Sequence, residues 1–326
     1  MTRCLRLVLR PLLAAAGLSL IAAPALAQTW PERPIRVIAP STPGGAADLF
    51  ARQVCDHFSN AFKQGCIVDN RAGAGGMIGT QAAAHAEPDG YTFTISSLAY
   101  HVIAPATARK ATYDPIKDFT HVAYIGGPAN AFVVSAKSGW TTLKDAVEAA
   151  RKKPPLMFVS PGFGTLGHLL VEVMADKEGI ETQLVLTQGA SQARLDLVAG
   201  NVNFGTMTWS SALPEIKSKG VIPIGHSGEE RLKDYPDVPT FRELGRDDLT
   251  TPSWFAFSAP AGLPADITKR ANEEIAKMLE NPKVQQIFAN NGIATRTMSA
   301  DQFQAFVESE TKRWVPLAQR LLKKKK

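Results

Sequence analysis

The chain alternates between short apolar runs and longer stretches whose apolar residues recur at helical spacing. Residues 35–39 are a buried-strand run. Residues 46–62 then place Leu49, Phe50, Val54, Phe58 and Phe62 on one helical face. Gly65 ends that unit. A strand at 66–69, a glycine-rich loop at 70–76, a small-residue helix at 77–85, the turn Glu87-Pro88-Asp89-Gly90 and a strand at 91–96 follow. Residues 97–101 read as a loop and 119–125 as a strand. Gly126-Gly127-Pro128 marks a break, after which the alternation restarts. Strands are expected at 131–135, 156–160, 183–187, 202–206 and 221–225, separated by helices at 141–152, 165–176, 190–198 and 210–217. A strand at 254–258 reads as a return crossing. Helices at 265–280, 282–290 and 299–322 close the chain, the last opened by the capping box Ser299-x-x-Gln302 and kinked or interrupted at Pro316.

Such alternation builds an α/β chain of parallel sheets with helices on both faces. Because the break at 126–128 is answered by a return near 252, the expected organisation is one lobe from 28–126 plus 252–326 and a second from 127–251, joined by two strands. A discontinuous lobe with two crossings is the layout of a hinged receptor that closes on a ligand. The three terminal helices have no further strands to cover and should pack on the first lobe.

Composition changes this picture at the ends. Arg3, Arg6 and Arg10 precede an apolar run from Pro11 to Ala23, and Ala25-Leu26-Ala27 supplies small residues for cleavage, the pattern of a secretory signal peptide over residues 1–27. The run is shorter than the roughly 18 residues a membrane span needs. Setting the leader arginines aside lowers the formal charge of +6 to about half, and much of the rest is the run Lys323 to Lys326. No basic stripe interleaved with aromatics remains, so nucleic acid is not an expected partner. A frayed, solvated end of the last helix accounts for the lysines. The mature chain is expected free outside the cytoplasm, as a monomer. There the pair Cys55 and Cys66 is expected as a disulfide, with two buried thiols as the alternative.

Two stretches carry candidate chemistry. Pro43-Gly44-Gly45 leads from a strand into the helix containing Asp48, and Ser160-Pro161-Gly162-Phe163-Gly164-Thr165 does the same ahead of His168. N–H groups at a helix start carry partial positive charge, and glycine lets a ligand approach, so such turns bind carboxylates without Arg or Lys. The expected site pairs Gly44 and Gly45 with Gly162, Gly164 and Thr165, adding the Ser160 and Thr165 hydroxyls. Tight turns alone would explain the same glycines.

Pro34-Ile35-Arg36 leading to Pro43-Gly44-Gly45-Ala46-Ala47-Asp48, the block Asp69-Asn70-Arg71-Ala72-Gly73-Ala74-Gly75-Gly76, Pro88-Asp89-Gly90-Tyr91, Tyr113-Asp114-Pro115, Asp237-Val238-Pro239-Thr240 and Ser253-Trp254-Phe255 together resemble the Bug, or TctC, family of extracytoplasmic solute-binding proteins. The resemblance implies a type II periplasmic-binding-protein fold that delivers carboxylated metabolites to the membrane subunits of a tripartite tricarboxylate transporter. It supports both turns and tips Asp48 toward the site. An acid there would repel an anion it faced, so Asp48 is expected to accept hydrogen bonds from its own turn or from water. His168 matches a position where the family often has His, although the residues alone favour a packed or surface histidine.

Ser97, Tyr100 and His101 sit at a strand end suited to ligand specificity or to loop packing. Thr187-Gln188 stands where many members have Tyr-Lys, and Met207 where they have Asp. An apolar wall including Met207, and Trp209 if it is not core, would favour a longer or aromatic carboxylate.

The rival reading is a dinucleotide-binding oxidoreductase, because Gly162-x-Gly164-x-x-Gly167 has the right spacing between a strand and a helix. Its ribose-binding acid is missing, since the next strand ends in Thr187 and Gln188. No metal or other cofactor is expected. A ligand sensor for a membrane signalling protein would use the same fold.

Overall fold

The computed structural model describes residues 30–187, 190–251 and 253–322. The leader, Gln188 and the lysine run lie outside them. In chain order the first elements are β1 (Ile35–Ala39), α1 (Ala46–Phe62), β2 (Cys66–Asn70), α2 (Met77–Ala84) and β3 (Thr92–Ser97), with a π-helical turn Leu98–Ile103 running into α3 (Ala104–Thr107) and then β4 (Phe119–Pro128). The middle is β5 (Asn130–Ser135), α4 (Leu143–Lys152), β6 (Leu156–Val159), α5 (Leu166–Glu178), β7 (Thr182–Val185), α6 (Ala190–Ala199), β8 (Phe204–Thr208), α7 (Trp209–Lys217) and β9 (Val221–His226). The chain closes with β10 (Phe255–Pro260), α8 (Ala265–Glu280), α9 (Pro282–Asn290), β11 (Ile293–Thr295) and α10 (Ala300–Leu322).

Two sheets result, one ordered β11-β4-β10-β3-β1-β2 and the other β7-β6-β8-β5-β9. They repeat one plan. In each, three successive strands, β1 to β3 and β6 to β8, lie in the order second, first, third and run parallel. The strand arriving from the other half of the chain comes next and runs antiparallel: β10 between β3 and β4, and β5 between β8 and β9. The expected all-parallel sheets are therefore corrected to mixed ones, because a strand that enters from the opposite sheet starts at the end where the others finish. That end of each sheet gathers the β-to-α turns, and both candidate turns lie there.

Packing explains most elements. Helix α1 buries Phe50, Val54 and Phe58 on β10 and α8, with Phe50 stacked on Phe255 and Phe58 edge-on to Phe257. Cys55 and Cys66 are disulfide-bonded, tying α1 to the start of β2. The capping box opens α10: Ser299 N–H donates to Gln302 Oε1 at 3.0 Å, and Gln302 N–H to Ser299 Oγ at 3.2 Å. Pro316 does not interrupt that helix, since Trp314 and Ala318 on either side of it are both buried and hold the two parts in one core.

The terminal helices pack on the first half as expected, α8 on β4 and α1, and α10 on β4, α3 and the π-helical turn. Helix α10 also packs on α5, where Arg320 Nη1 meets both Asp176 oxygens at 2.9 Å, and one apolar core joins Leu98, Val102 and Ile103 to Leu169 and Leu170. Among the described residues no helix is long and apolar enough to cross a membrane.

Candidate functional site

The two candidate turns adopt one backbone. Gly44 has φ +77° and Gly164 φ +76°, a left-handed conformation that L side chains avoid, and each stands immediately before the N-cap of its helix. Each donates its N–H to the side chain four residues on: Gly44 to Asp48 Oδ2 at 2.9 Å, Gly164 to His168 Nδ1 at 3.0 Å. Asp48 and His168 are both buried and are thus turn-shaping acceptors.

Asp48 also accepts from Arg52 Nε at 2.8 Å and Asn70 Nδ2 at 3.0 Å, and Asn70 donates to the Ser41 carbonyl as well. Burial pushes the Asp48 carboxyl up, but Arg52, the Gly44 N–H and Asn70 together outweigh it and hold the group below its usual range. At neutral pH it is an anion engaged by its own turn through Gly44, by Arg52 one turn along α1 and by Asn70 of β2. His168 accepts at Nδ1, so its proton sits on Nε2, which faces Glu172 Oε1 at 3.7 Å. Glu172 in turn accepts from Thr182 Oγ1 at 2.8 Å.

This arrangement corrects the expected donors. The Gly44, Gly45 and Gly164 N–H groups are spent on Asp48, Thr42 and His168. The Ser160 and Thr165 hydroxyls bond each other at 2.7 Å and both bond the Gly162 carbonyl, while Thr165 Oγ1 also caps His168 N–H. The Gly162 N–H and the first-turn N–H groups of Ala46, Ala47 and Asp48 on α1 and of Leu166 and Gly167 on α5 have no hydrogen-bond partner among the described residues. Sequence reasoning missed those of the first helical turns because it followed the glycines. The signal was the shared offset of four from Gly44 to Asp48 and from Gly164 to His168. Pro43 lies exposed beside the first turn.

The π-helical turn after β3 brings the two halves together. Ser97 is buried and its Oγ accepts from Tyr100 N–H at 3.2 Å, so it caps the turn instead of facing a cleft. The Tyr113 hydroxyl donates to the Tyr100 carbonyl. The half-buried Tyr100 ring covers Gly76, where a Cβ would lie 2.4 Å from the ring, and meets Phe255 edge-on. Burial pushes its phenol up to about 12, and its hydroxyl has no partner among the described residues, leaving a neutral donor at the cleft edge. Ile103 packs against Gly164, with 3.6 Å from its Cγ2 to the point a Cβ would occupy.

His101 is corrected outright. It is wholly buried on Phe119, 4.0 Å between ring centres, and beside His121. Burial, with His121 second, pushes its pKa well below the usual value, and neither ring nitrogen has a hydrogen-bond partner. The Pro115 carbonyl favours its charged form without meeting hydrogen-bond geometry; that carbonyl bonds His121 Nε2 instead, at 3.1 Å. The single-residue step along the helical turn points His101 in a different direction from Tyr100.

Met207 is also corrected. It is 1% exposed and packs with Ala131, Val133 and Trp209 under α6 and α7, because residues 205 and 207 of β8 face those helices while 204 and 206 face α5. What stands at the end of β8 is polar: Thr208 Oγ1 donates to Ser211 Oγ at 2.8 Å and lies 3.3 Å from Ser210 Oγ. Thr187 Oγ1 donates to the Ser160 carbonyl at 2.7 Å, so it braces the second turn from β7.

The dinucleotide reading fails locally too. Gly167 is glycine because Thr206 Oγ1 lies 2.4 Å, and Asn130 Oδ1 3.2 Å, from the place of its Cβ, a close approach of helix to sheet. Among the described residues no group of three His, Cys, Asp or Glu could hold a metal. A surface concavity of about 300 Å³ opens between α4, the end of α5 and Arg246, at the opposite end of α5 from Gly164. Its Glu178 is bonded by Arg151 at 2.8 Å and by Arg246 at 3.0 Å, a network closed on itself.

Against known proteins, the tripartite tricarboxylate transporter family receptor matches residues 50–322. Protein BugT of Bordetella pertussis is 31% identical over 96% of both chains. Among solved structures, a Rhodopseudomonas palustris protein with adipate is 29% identical at a TM-score of 0.83, covering 89% of this chain and 97% of that one. MatC from the same organism, with bound malate, is 25% identical at 0.80, covering 88% and 99%. The matched family is one of transport receptors, not enzymes, and the solved structures share this chain's type II periplasmic-binding-protein fold of two sheets. The chain belongs to the tripartite tricarboxylate transporter receptor family.

Proposed function

We propose that this chain is a periplasmic receptor that, after loss of the leader at residues 1–27, closes two lobes on a small carboxylated metabolite and delivers it to the membrane subunits of a tripartite transporter. The lobes are residues 28–126 with 252–326, and 127–251. The observation that carries the reading is the matched pair of turns at Gly44 and Gly164, each presenting unpartnered first-turn N–H groups: Ala46 and Ala47 on one side, Leu166 and Gly167 on the other. Such a pair holds one carboxylate by dipoles alone, and the only charge built into either turn, Asp48, is already neutralised by Arg52. Tyr100 adds a neutral hydroxyl at the edge. The adipate and malate bound by the two related structures belong to the same chemical class.

The test is thermal unfolding of the mature chain against a panel of carboxylates and NAD. A carboxylate at about 100 times its dissociation constant should add roughly 2.7 kcal/mol, and NAD nothing. Stabilisation by NAD with none by any carboxylate would overturn the reading.

A further inference from the structure

We propose that the end of α10 and the turn after α3 form a basic ledge that settles the protein on an anionic phospholipid bilayer, at a place separate from the carboxylate site. Gln319, near the end of α10, donates from Nε2 to the Ala106 carbonyl of α3 at 3.3 Å, which pins the two helix ends together. Arg109 and Lys110 follow Ala106 by three and four residues. Both are exposed, and neither has an ion pair among the described residues. Lys312, also exposed, stands seven residues before Gln319 and so on the same stripe of α10.

The lysine run belongs to the same place. Taken alone, four lysines after a helix need no partner, but this run starts directly after Leu322, and Leu322 is about 5 Å along the helix from Gln319. Four residues reach at most about 14 Å, and Arg109 is tethered within about 11 Å of Ala106. Arg109, Lys110 and Lys323 to Lys326 are thereby drawn from two distant parts of the chain into one patch of six cations. The acid at this end of α10 does not cancel it, because Asp176 has both oxygens held by Arg320 at 2.9 Å.

The ledge lacks what a protein partner would grip. The exposed large apolar side chains among the described residues, Ile67, Ile78, Met157, Leu186, Leu195 and Leu244, all lie elsewhere, and a protein interface draws most of its energy from a few anchors in a well-packed, desolvated centre. Lysines are compact charges on flexible stems, and a cluster of them is drawn to a layer of anionic headgroups without any shaped acceptor. The position also keeps the two functions apart. Asp176 lies ten residues past Leu166, about 15 Å along α5 from the first-turn N–H groups, which exceeds the screening length of about 8 Å at physiological salt. The ledge holds the protein reversibly at the membrane surface while the carboxylate site keeps its own chemistry.

The experiment is co-sedimentation of the mature chain with vesicles of phosphatidylcholine alone and of phosphatidylcholine with phosphatidylglycerol. Binding should appear only on the anionic vesicles and fade as salt is raised. At about fivefold for each cation removed, Arg109→Gln with Lys110→Gln should weaken partitioning about twentyfold, and Lys323→Gln through Lys326→Gln together more than about a hundredfold. A control pair with the same change of charge on other elements, Lys233→Gln with Lys283→Gln, should leave it nearly unchanged. All of these are exposed positions, so every variant should keep the wild-type melting temperature. Equal binding to both kinds of vesicle, or an equal loss in the control pair, overturns the ledge, and so does a double variant at Arg109 and Lys110 that binds like the wild type. Failure to bind either lipid, with capture instead by cell membranes that protease treatment abolishes, overturns the lipid in favour of a protein partner. The receptor reading stands or falls separately, by carboxylate binding in solution.

Discussion

The turn at Gly44 and the turn at Gly164 have the same backbone but are held by opposite chemistry. The first leans on a carboxylate whose charge is balanced by a half-exposed arginine and which also accepts a hydrogen bond from an asparagine of the next strand. The second leans on a neutral imidazole, itself braced by Glu172 and Thr182 in a core that solvent does not reach. Three residues beyond the positive-φ glycine, the first has a buried Ala47 and the second Gly167, where Thr206 leaves no room for a Cβ. The difference teaches that the turn depends on an acceptor four residues beyond its positive-φ glycine and is indifferent to that acceptor's charge. One half can therefore be tuned through salt and surface charge, the other only through packing.

The comparison can be broken hardest at His168. His168→Ala removes a buried ring and orphans the Gly164 N–H, and a loss of about 3–5 kcal/mol is expected in denaturant unfolding, with weaker carboxylate binding. His168→Asn keeps an acceptor and should recover part of both. A smaller effect belongs to the third position. Gly167→Ala must displace Thr206 and should cost about 1–3 kcal/mol, whereas Ala47→Gly in the other turn should cost only about 0.5–1 kcal/mol. Equal losses at the two positions would show that α5 is no closer to its sheet than α1.

The smallest effect is the pH dependence of the first turn. Because the folded-state pKa of Asp48 is lowered, its contribution is present above the unfolded carboxylate value of about 3.9 and is lost as pH falls through the folded value. Asp48→Asn should therefore destabilise by about 1 kcal/mol at pH 7, the exposed Arg52 partner limiting the figure, and by progressively less as the pH falls below the unfolded carboxylate value. A constant difference across that range would place the role of Asp48 in its shape instead of its charge.

Much of the fold was legible because amphipathic spacing is local. Helix α1 runs from Ala46 to Phe62 as its apolar positions require, and α8 and α9 likewise keep their expected bounds. What was hidden depended on distant partners. Strand β11 is three residues long and exists because Gly126 to Pro128 offers it an edge. The segment Leu98–Ile103 is helical because Ser97 caps it and Tyr113 holds its carbonyl.

The site divides the same way. The two turns could be read from Pro-Gly and Gly-x-Gly spacing, yet their supporting acceptors, one acid and one imidazole, share no residue type that a pattern would register. Met207 and Thr208 differ by one position on a strand, and that one-residue phase decides which of them is buried under α6 and α7 and which stands at the strand's end.

The place of β10 has a consequence for how such a chain comes into being. It lies in the middle of the six-stranded sheet, and β3 and β4, its neighbours on either side, are not bonded to each other. Until Phe255–Pro260 has left the ribosome, the first 128 residues therefore hold a sheet with a missing plank. Closing it joins segments far apart in sequence, which is slow. In the exported receptor proposed above, that delay would keep the nascent chain pliable enough to thread through a secretion channel before it hardens into its working shape.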